Sequence, residues 1–470
     1  MNARVKYITL TNYDRVIVVS DMHGRHDVFC EALKKSGFCG KDALVVLGDI
    51  CNKGDQSLLL LRRVVELARQ ENVHVLMGNN DLTLLHWLDG IYSDEDVCQW
   101  LRDGSGTIIH DMAKELEHPY ETAEAVRLLK RTVNIRYSEE IRFLRDLPHI
   151  IESDIATFVH ASLKPGPLEK QEIYDCLSYP AFAEQTYVFE KPLIVGHWPT
   201  ANYCGCRQIA DQNVYFNRQT NVISIDGGMG TKYSGQFNYL VLHPRDGSME
   251  WGYCDDLPKC RALEDQAESD HYVNLQFPNS KVVIEEDLGD SFICYIPAVD
   301  LRMPFSKKRV YEYKGGWYCS DFTTYRLPVA AGEILSLCRI LEDGILVMRN
   351  GIVGMYLGRY ETEDERRVKN FQKKPGRSWR TVSVRIPSLA WLPIVAICGD
   401  WFTGHGTGEN LGWIRDEKNV GLAEKLRAAF AAWYDNGHTN EEDRNTIILR
   451  IRLTDGVLLH HGTRFNIDFT

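Results

Sequence analysis

Six short runs of β-branched and aliphatic residues in the first half of the chain each lead into an aspartate, asparagine or histidine, and no other feature restricts the fold as tightly. The runs are Val16 to Val19, Ala43 to Leu47, Val73 to Met77, Ala156 to Val159, Leu193 to Val195 and Val222 to Ile225. Each is short and mostly apolar, which reads as a strand in a sheet covered on both faces. Helical patterns lie between them at Val28 to Lys35, at Gln56 to Gln70 with its LLLLRRVVELA face, and over the charged stretch His110 to Arg131. Strands alternating with amphipathic helices specify an α/β domain.

The residues at the strand ends carry the chemistry. In chain order they are Asp21-Met22-His23-Gly24, Gly48-Asp49, Gly78-Asn79-Asn80-Asp81, His160-Ala161-Ser162, Gly196-His197 and Asp226-Gly227-Gly228. Loops at the carboxyl ends of such strands converge on one crevice. A lone histidine after a strand is most often structural, and a lone Gly-Asp is only a turn. Carboxylates and imidazoles gathered together in a crevice are expensive to desolvate, and divalent cations are the usual compensation.

In this order the motifs D-x-H-G, G-D-x-x-x-K-G, G-N-x-D, an isolated histidine after a strand, and G-H before a strand ending in D-x-G resemble the calcineurin-like metallophosphoesterases, over residues 14–245. The resemblance implies a metallophosphoesterase-type β-sandwich flanked by helices and a site for two divalent ions, manganese first and iron or zinc as alternatives. Asp21 and His23 would hold one ion, Asn79, His160 and His197 the other, and Asp49 would bridge them. Such a pair, roughly 3.5 to 4 Å apart, activates a water and clamps the phosphoryl oxygens for in-line attack.

Gly196-His197-Trp198-Pro199 lacks the second histidine of the G-H-x-H found in cyclic-nucleotide and nuclease members. It is more similar to the phosphoprotein phosphatase branch, with its bacterial Ser/Thr phosphatases and bis(5'-nucleosyl)-tetraphosphatases. Within that branch four positions depart: Asn52 stands for Asp, Lys53 for a phosphate-binding Arg, Asn80 for the His that protonates the leaving alcohol, and Met77 for an Arg. The resemblance puts Lys53, Asn79 and Asn80 on the substrate phosphate. Lys53 offers a point charge in place of a bidentate fork. Asn80 can donate a hydrogen bond but no proton, and a positioned acid is usually worth roughly 10² to 10⁴ in rate. His26 is the candidate to replace it; His86, in a helical stretch, reads as core or surface. The expected activity is hydrolysis of phosphomonoesters, phosphoproteins by default. Hydrolysis of nucleotide phosphoanhydrides such as diadenosine tetraphosphate is the alternative, and a catalytically weak phosphate-binding recognition module is the third.

At 470 residues the chain exceeds one hydrophobic core. Its expected organisation is a catalytic domain over 1–255, a polar linker over 256–280, a mostly β SH3-like region over 281–362, and a C-terminal α/β or α+β accessory region over 363–470. Asp343-Gly344 and Asn350-Gly351 read as hairpin turns. Trp317, Tyr318 and Tyr356 could line a peptide groove, so a protein partner is expected through the C-terminal regions. The last hundred residues open on the basic stretch RRVKNFQKKPGRSWR. They continue with a glycine-rich loop, Gly399 to Trp413, whose His405 reads as structural, and a helix over Ala423 to Tyr434. They end on a strand pair turning at Asp455-Gly456. The formal net charge of -11 makes nucleic acid an unexpected partner. The N-terminus lacks a secretory pattern, no apolar run reaches bilayer length, and the 13 cysteines form no metal-finger spacing. A cytoplasmic protein with reduced thiols is expected. Cys204 and Cys206, in CGC, read as ordinary thiols.

Overall fold

Val16–Val19 is buried at every position, yet its side chains belong to two different cores. In the computed structural model, which describes residues 2–104, 106–341, 344–362, 380–385, 401–413, 419–421, 424, 447–460 and 463–468, Val16 and Val18 point into one apolar cluster, and Ile17 and Val19 into another. That alternation is the two-residue period of a strand covered from both sides.

The strands of the N-terminal half are β1 (Val5–Ile8), β2 (Val16–Val19), β3 (Ala43–Val46), β4 (Val73–Val75), β5 (Ile150–Ser153), β6 (Thr157–Val159), β7 (Leu193–Val195), β8 (Ala210–Asp211), β9 (Tyr215–Asn217), β10 (Val222–Ser224), β11 (Phe237–Leu242) and β12 (Met249–Cys254). One sheet runs β12-β11-β2-β3-β4 and the other β1-β5-β6-β7-β10-β9. β2, β3 and β4 are mutually parallel, as are β6, β7 and β10. All six runs expected from the sequence are strands.

The two sheets face one another across Val16, Val18, Val45 and Leu240 on one side and Ile151, Phe158, Ile194 and Ile223 on the other. Helices α1 (His26–Ser36), α2 (Ser57–Leu67), α3 (Leu82–Leu88), α4 (Asp94–Asp103), α5 (Ile108–Glu115), α6 (Ala123–Arg136) and α7 (Ser138–Asp146) supply the cluster on the outer face of β2, β3 and β4, with Phe29, Leu61, Trp87, Ile109, Leu129 and Leu144 buried there. Helix α8 (Ile173–Ser178) and its neighbours cover the other outer face with Cys176, Phe182 and Tyr203. Each fully buried aliphatic side chain contributes about 1.5–3 kcal/mol. The architecture is the helix-flanked β-sandwich that the family resemblance implies.

Sequence punctuation sets the helix ends. Gly37, at φ 66°, closes α1 in the left-handed conformation, and Ser93 with Asp96 forms a capping box on α4. The single helix expected over His110 to Arg131 is two. Pro119 disfavours helical backbone at His118, and Thr122 caps a new helix by accepting the Ala125 N–H.

Met1–Gly376 is one compact unit, and Arg377–Thr470 is another. Inside the first, the polar segment read as a linker contributes strand β13 (Lys259–Ala262), with Cys260 and Ala262 buried and Lys259 and Arg261 facing outward. Its polarity belongs to one face of a strand. β13 joins a six-stranded sheet with Tyr360–Thr362, Ile334–Leu341, Gly344–Arg349, Ile352–Tyr356 and β8. A second sheet, over Lys281–Asp287, Ser291–Ile296, Leu301–Ser306, Val310–Tyr313 and Gly316–Cys319, has its own core around Val282, Ile296, Phe305 and Cys319. The mostly β region is thus two antiparallel sheets with separate cores.

Asn350-Gly351 makes the expected two-residue hairpin, with both residues at positive φ. Residues 342 and 343 lie outside the described residues. Tyr356 is fully buried, its hydroxyl donating to the Glu264 and Arg359 carbonyls, so it lines no groove; Trp317 is exposed.

In the second unit Arg380–Arg385, Trp401–Trp413, Ile447–His460 and Thr463–Asp468 form one sheet. Two expectations are corrected there. Trp401–Trp413, within the glycine-rich stretch read as a loop, is a strand, and Asp455-Gly456 lies within another. Opposite Asp455 the register shifts, pairing His405 with Asp455 and Gly406 with Leu453, so the Asp-Gly signal accompanies a bulge and no turn. Ala423 to Tyr434, except residue 424, and most of the basic stretch lie outside the described residues.

β8 pairs with Ile352–Tyr356, and Ala210 shares a small core with Leu257, Cys338, Met348 and Val353. A chain cut after Asp255 loses this ladder and core, whereas one cut after Gly376 keeps both. Thermal unfolding of the two should give a clearly lower midpoint for the shorter. Equal midpoints would show that residues 256–376 add nothing to the sandwich.

Candidate metal centre

The loops after the six strands approach too closely for side chains at their glycines. A Cβ on Gly78 would lie 2.1 Å from the Asp49 nitrogen, and one on Gly196 would lie 2.0 Å from Ser20 Oγ. This approach packs the ligands. Asp21, His23 and Asp49 present donor atoms within 4.8 Å of one another, all buried. His23 Nε2 lies 3.8 Å from Asp21 Oδ1 and 3.7 Å from Asp49 Oδ2. On the other side of Asp49, its Oδ1 lies 3.5 Å from His160 Nε2. His160 Nε2 and His197 Nδ1 converge on Asn79 Oδ1 at 3.0 and 2.8 Å. The structure therefore brings together all six residues named as ligands from the sequence, in two groups with Asp49 between them.

Asp21, His23, Asp49 and His197 all have φ between 45° and 65°. Left-handed backbone costs a non-glycine residue roughly 1–2 kcal/mol, and such outliers cluster at functional sites.

Orientation comes from the backbone of neighbouring loops. Ser20 Oγ and the His197 N–H both donate to Asp21 Oδ2, at 2.5 and 2.9 Å. The Leu47 carbonyl lies 2.9 Å from His160 Nδ1, so that nitrogen carries the proton and Nε2 is left to ligate. Asn80 grips Asp49 twice, its N–H donating to Oδ1 at 2.7 Å and its side-chain amide to Oδ2 at 2.6 Å. Asn52 donates to the Asn80 carbonyl and to Thr83 Oγ1 and accepts from the Ile108 N–H, tying the loop to α5.

Asp81 closes the Gly78-Asn79-Asn80-Asp81 motif, and its role is apparent only in the fold. Its carboxylate, 1 % exposed, accepts the backbone N–H groups of Asp49, Ile50, Cys51 and Gly78 at 2.9–3.0 Å. It holds the Asp49 loop against the Asn79 loop. Asp226 is likewise buried, accepting the Gly228 N–H. The sequence signal is an acid in the loop that follows a strand, three residues past Gly78 for Asp81 and directly before Gly227 for Asp226.

Lys53 Nζ lies 3.0 Å from His23 Nε2 and 3.1 Å from Thr231 Oγ1, at the edge of the cluster. His26 is the first residue of α1; its Nδ1 lies 3.0 Å from Asp27 Oδ1 and its Nε2 3.5 Å from Cys30 Sγ, so both ring nitrogens are engaged on its own helix. His86 packs against Tyr92.

The electrostatics fit divalent cations. Burial first, and then the charge of Asp49, pushes the Asp21 carboxyl up to about 7. The same two causes push Asp81 up to about 7, and burial with the Asp21 charge raises Asp226 well above the carboxylate range. Burial would also raise Asp49, but His160, His23 and Lys53 outweigh it and hold that carboxyl low. Burial brings His23 down to about 3 and His197 to about 4, leaving neutral rings able to ligate. Asp21 Oδ1 and His23 Nδ1 are buried without hydrogen-bond partners. Crowded carboxylates, neutral imidazoles and orphaned polar atoms form a donor set suited to a divalent ion.

Residues 14–199 match the model for the calcineurin-like phosphoesterase family, and this part of the chain is a calcineurin-like phosphoesterase domain. Among similar curated proteins, the symmetrical bis(5'-nucleosyl)-tetraphosphatase of Chromobacterium violaceum is 32% identical over 139 residues, 27% of this chain and 50% of that protein. The enzyme of the same name from Acidovorax sp. is 44% identical over 68 residues, 14% of this chain and 24% of that protein. The chain thus spans half the length of the first relative and a quarter of the second. A protein serine/threonine phosphatase structure from Saccharomyces cerevisiae aligns with a TM-score of 0.34 at 12% identity, covering 54% of this chain and 85% of that one. No helix among the described residues is long and apolar enough to cross a membrane.

Two outcomes are expected here. Asp81→Asn, measured by titration calorimetry with a divalent metal, should weaken binding about 10- to 100-fold, as loss of an orienting partner does; unchanged affinity would remove Asp81 from the assembly of the site. Metal affinity should also fall as pH drops below about 7, because Asp21 is protonated there in the metal-free protein and must release its proton to ligate. One such proton gives about tenfold per pH unit, while His23 and His197 stay neutral across that range. A flat profile from pH 8 to 6 would contradict this.

Proposed function

We propose that the domain hydrolyses phosphate bonds whose leaving group departs without a proton, with nucleotide phosphoanhydrides of the diadenosine tetraphosphate type as the leading substrate class. The observation that carries this reading is Asn80. It stands where the resembled family places its acid, an amide cannot give up a proton at neutral pH, and its backbone N–H and its side-chain amide each donate to Asp49.

Asp21, His23, Asp49, Asn79, His160 and His197 would hold two divalent cations, with manganese the favoured metal. When bound, such ions supply Lewis acidity toward water and the phosphoryl oxygens. Around them the protein's own groups have separate tasks. Asn80 and Asp81 fix Asp49, Ser20 fixes Asp21, and the Leu47 carbonyl fixes His160. Lys53, at the edge of the cluster, would neutralise a phosphoryl oxygen.

A phosphoserine substrate, the default for the family branch, leaves as a basic alkoxide that needs a proton. A nucleotide phosphate or an aryl oxide is weakly basic and leaves unaided. The tetraphosphatase relatives point the same way.

Turnover should therefore be far higher on a dinucleoside polyphosphate or an aryl phosphate than on a phosphoserine peptide, by something like the 10² to 10⁴ of a positioned acid. Asn80→His should raise the peptide activity selectively. Measuring kcat/KM on all three substrates, at matched metal loading of wild type and variant, checks this. Equal or better activity of the natural protein on phosphoserine would overturn the proposal.

A further inference from the structure

Away from the metal centre, Arg309 and Arg339 line one partly enclosed cleft together with Tyr233, Gln276, Asp321 and Phe322. Both guanidiniums lie over aromatic rings, Arg339 4.5 Å from the Tyr233 centroid and Arg309 5.1 Å from that of Phe322. Stacking uses the face of a guanidinium and leaves its edge of N–H donors for a planar, bidentate partner.

Among the described residues nothing supplies that partner. Asp321, the acid of the cleft, is already committed: Oδ2 accepts Lys232 Nζ at 2.7 Å and Oδ1 the Phe277 N–H at 3.4 Å. Lys232 is itself nearly inaccessible, at 4 % side-chain exposure. Arg309 donates once, from Nη2 to the Asp321 carbonyl at 3.2 Å, and its Nε is buried without a partner. Among the described residues neither arginine is paired with a carboxylate. Burial, and then the charge of Arg339, lowers the Arg309 pKa. Two arginines thus line a half-buried space whose one carboxylate is taken by Lys232, and unpaired buried charge is costly. An anion across the two guanidinium edges removes that cost through charge-assisted hydrogen bonds.

We propose that the cleft between Tyr233, Arg309 and Arg339 is a second anion site, built to take a phosphoryl group and separate from the metal centre. The source of the phosphoryl group is free phosphate or the phosphate chain of a nucleotide. The segment carrying Tyr233 also borders the metal centre, since Thr231 accepts from Lys53 and Gly230 packs on His23. The site stands whether or not the catalytic reading holds, because it needs neither cations nor turnover.

The test uses the full chain, stripped of metal and dialysed free of chelator, titrated calorimetrically at constant ionic strength with inorganic phosphate in one arm and adenosine 5'-monophosphate in the other. Saturable binding is expected, weakened at least about tenfold by Arg339→Gln, weakened less by Arg339→Lys, which keeps the charge but loses the fork, and unaffected by Lys53→Met. Tighter binding of the nucleotide would name a nucleotide as the ligand; equal or tighter binding of phosphate would name free phosphate. Absence of saturable binding in both arms would overturn the proposal. So would binding that survives Arg339→Gln but is lost in Lys53→Met, which would place the anion at the metal centre.

Discussion

Four aspartates, Asp21, Asp49, Asp81 and Asp226, are buried within one crevice, none more than 2 % exposed, and their mutual repulsion sets the terms for the N-terminal half. Without a cation the protein can keep them together only by raising some of their pKa values, by aiming backbone N–H groups, Ser20 and Asn80 at them, and by keeping the Lys53 charge nearby. All of these occur. The sandwich core makes the arrangement possible, since strands buried on both faces fix where each loop begins. Left-handed backbone at Asp21, His23, Asp49 and His197 is tolerated because packing and hydrogen bonds determine those loops from several sides. Local strain and charge crowding are thus two consequences of one demand, that ligands from six strand ends meet at one place.

The strands were legible because a short β-branched run with no polar face has few other uses, and the ligands were legible because each follows such a run directly. Asp81 was harder to see. Nothing in Gly78-Asn79-Asn80-Asp81 says that the last residue turns back to accept four backbone N–H groups while the second faces two histidines. That Asn80 cannot act as an acid follows from its side chain alone, but its grip on Asp49 depends on loops distant in sequence. The joining of α5 and α6 into one expected helix had a local cause: charged residues continue through Pro119, and their pattern outweighed the break.

The second half was less legible, for a physical reason. Its strands have one polar face, and between Asp255 and Ser280 that polarity read as a linker although Cys260, Ala262, Val273 and Leu275 are buried. Ala210, in the N-terminal half of the sequence, finds its strand partner at Val353, a pairing that no local pattern announces. Turn chemistry was informative where both central residues needed positive φ, as at Asn350-Gly351. It misled at Asp455-Gly456, where the same residue types suit a bulge. The added sheets also bring Arg309 and Arg339 to one cleft beside Tyr233.

The central claim is that the buried carboxylates exist to hold divalent cations and that phosphate hydrolysis depends on them. Metal analysis of the purified chain, paired with turnover of an aryl phosphate before and after chelation and on re-addition of manganese, tests it most directly. The account predicts about two ions per chain, loss of turnover on stripping, and recovery that follows manganese occupancy. A chain that carries no divalent metal at saturating manganese, or that turns over equally well when stripped, would contradict it.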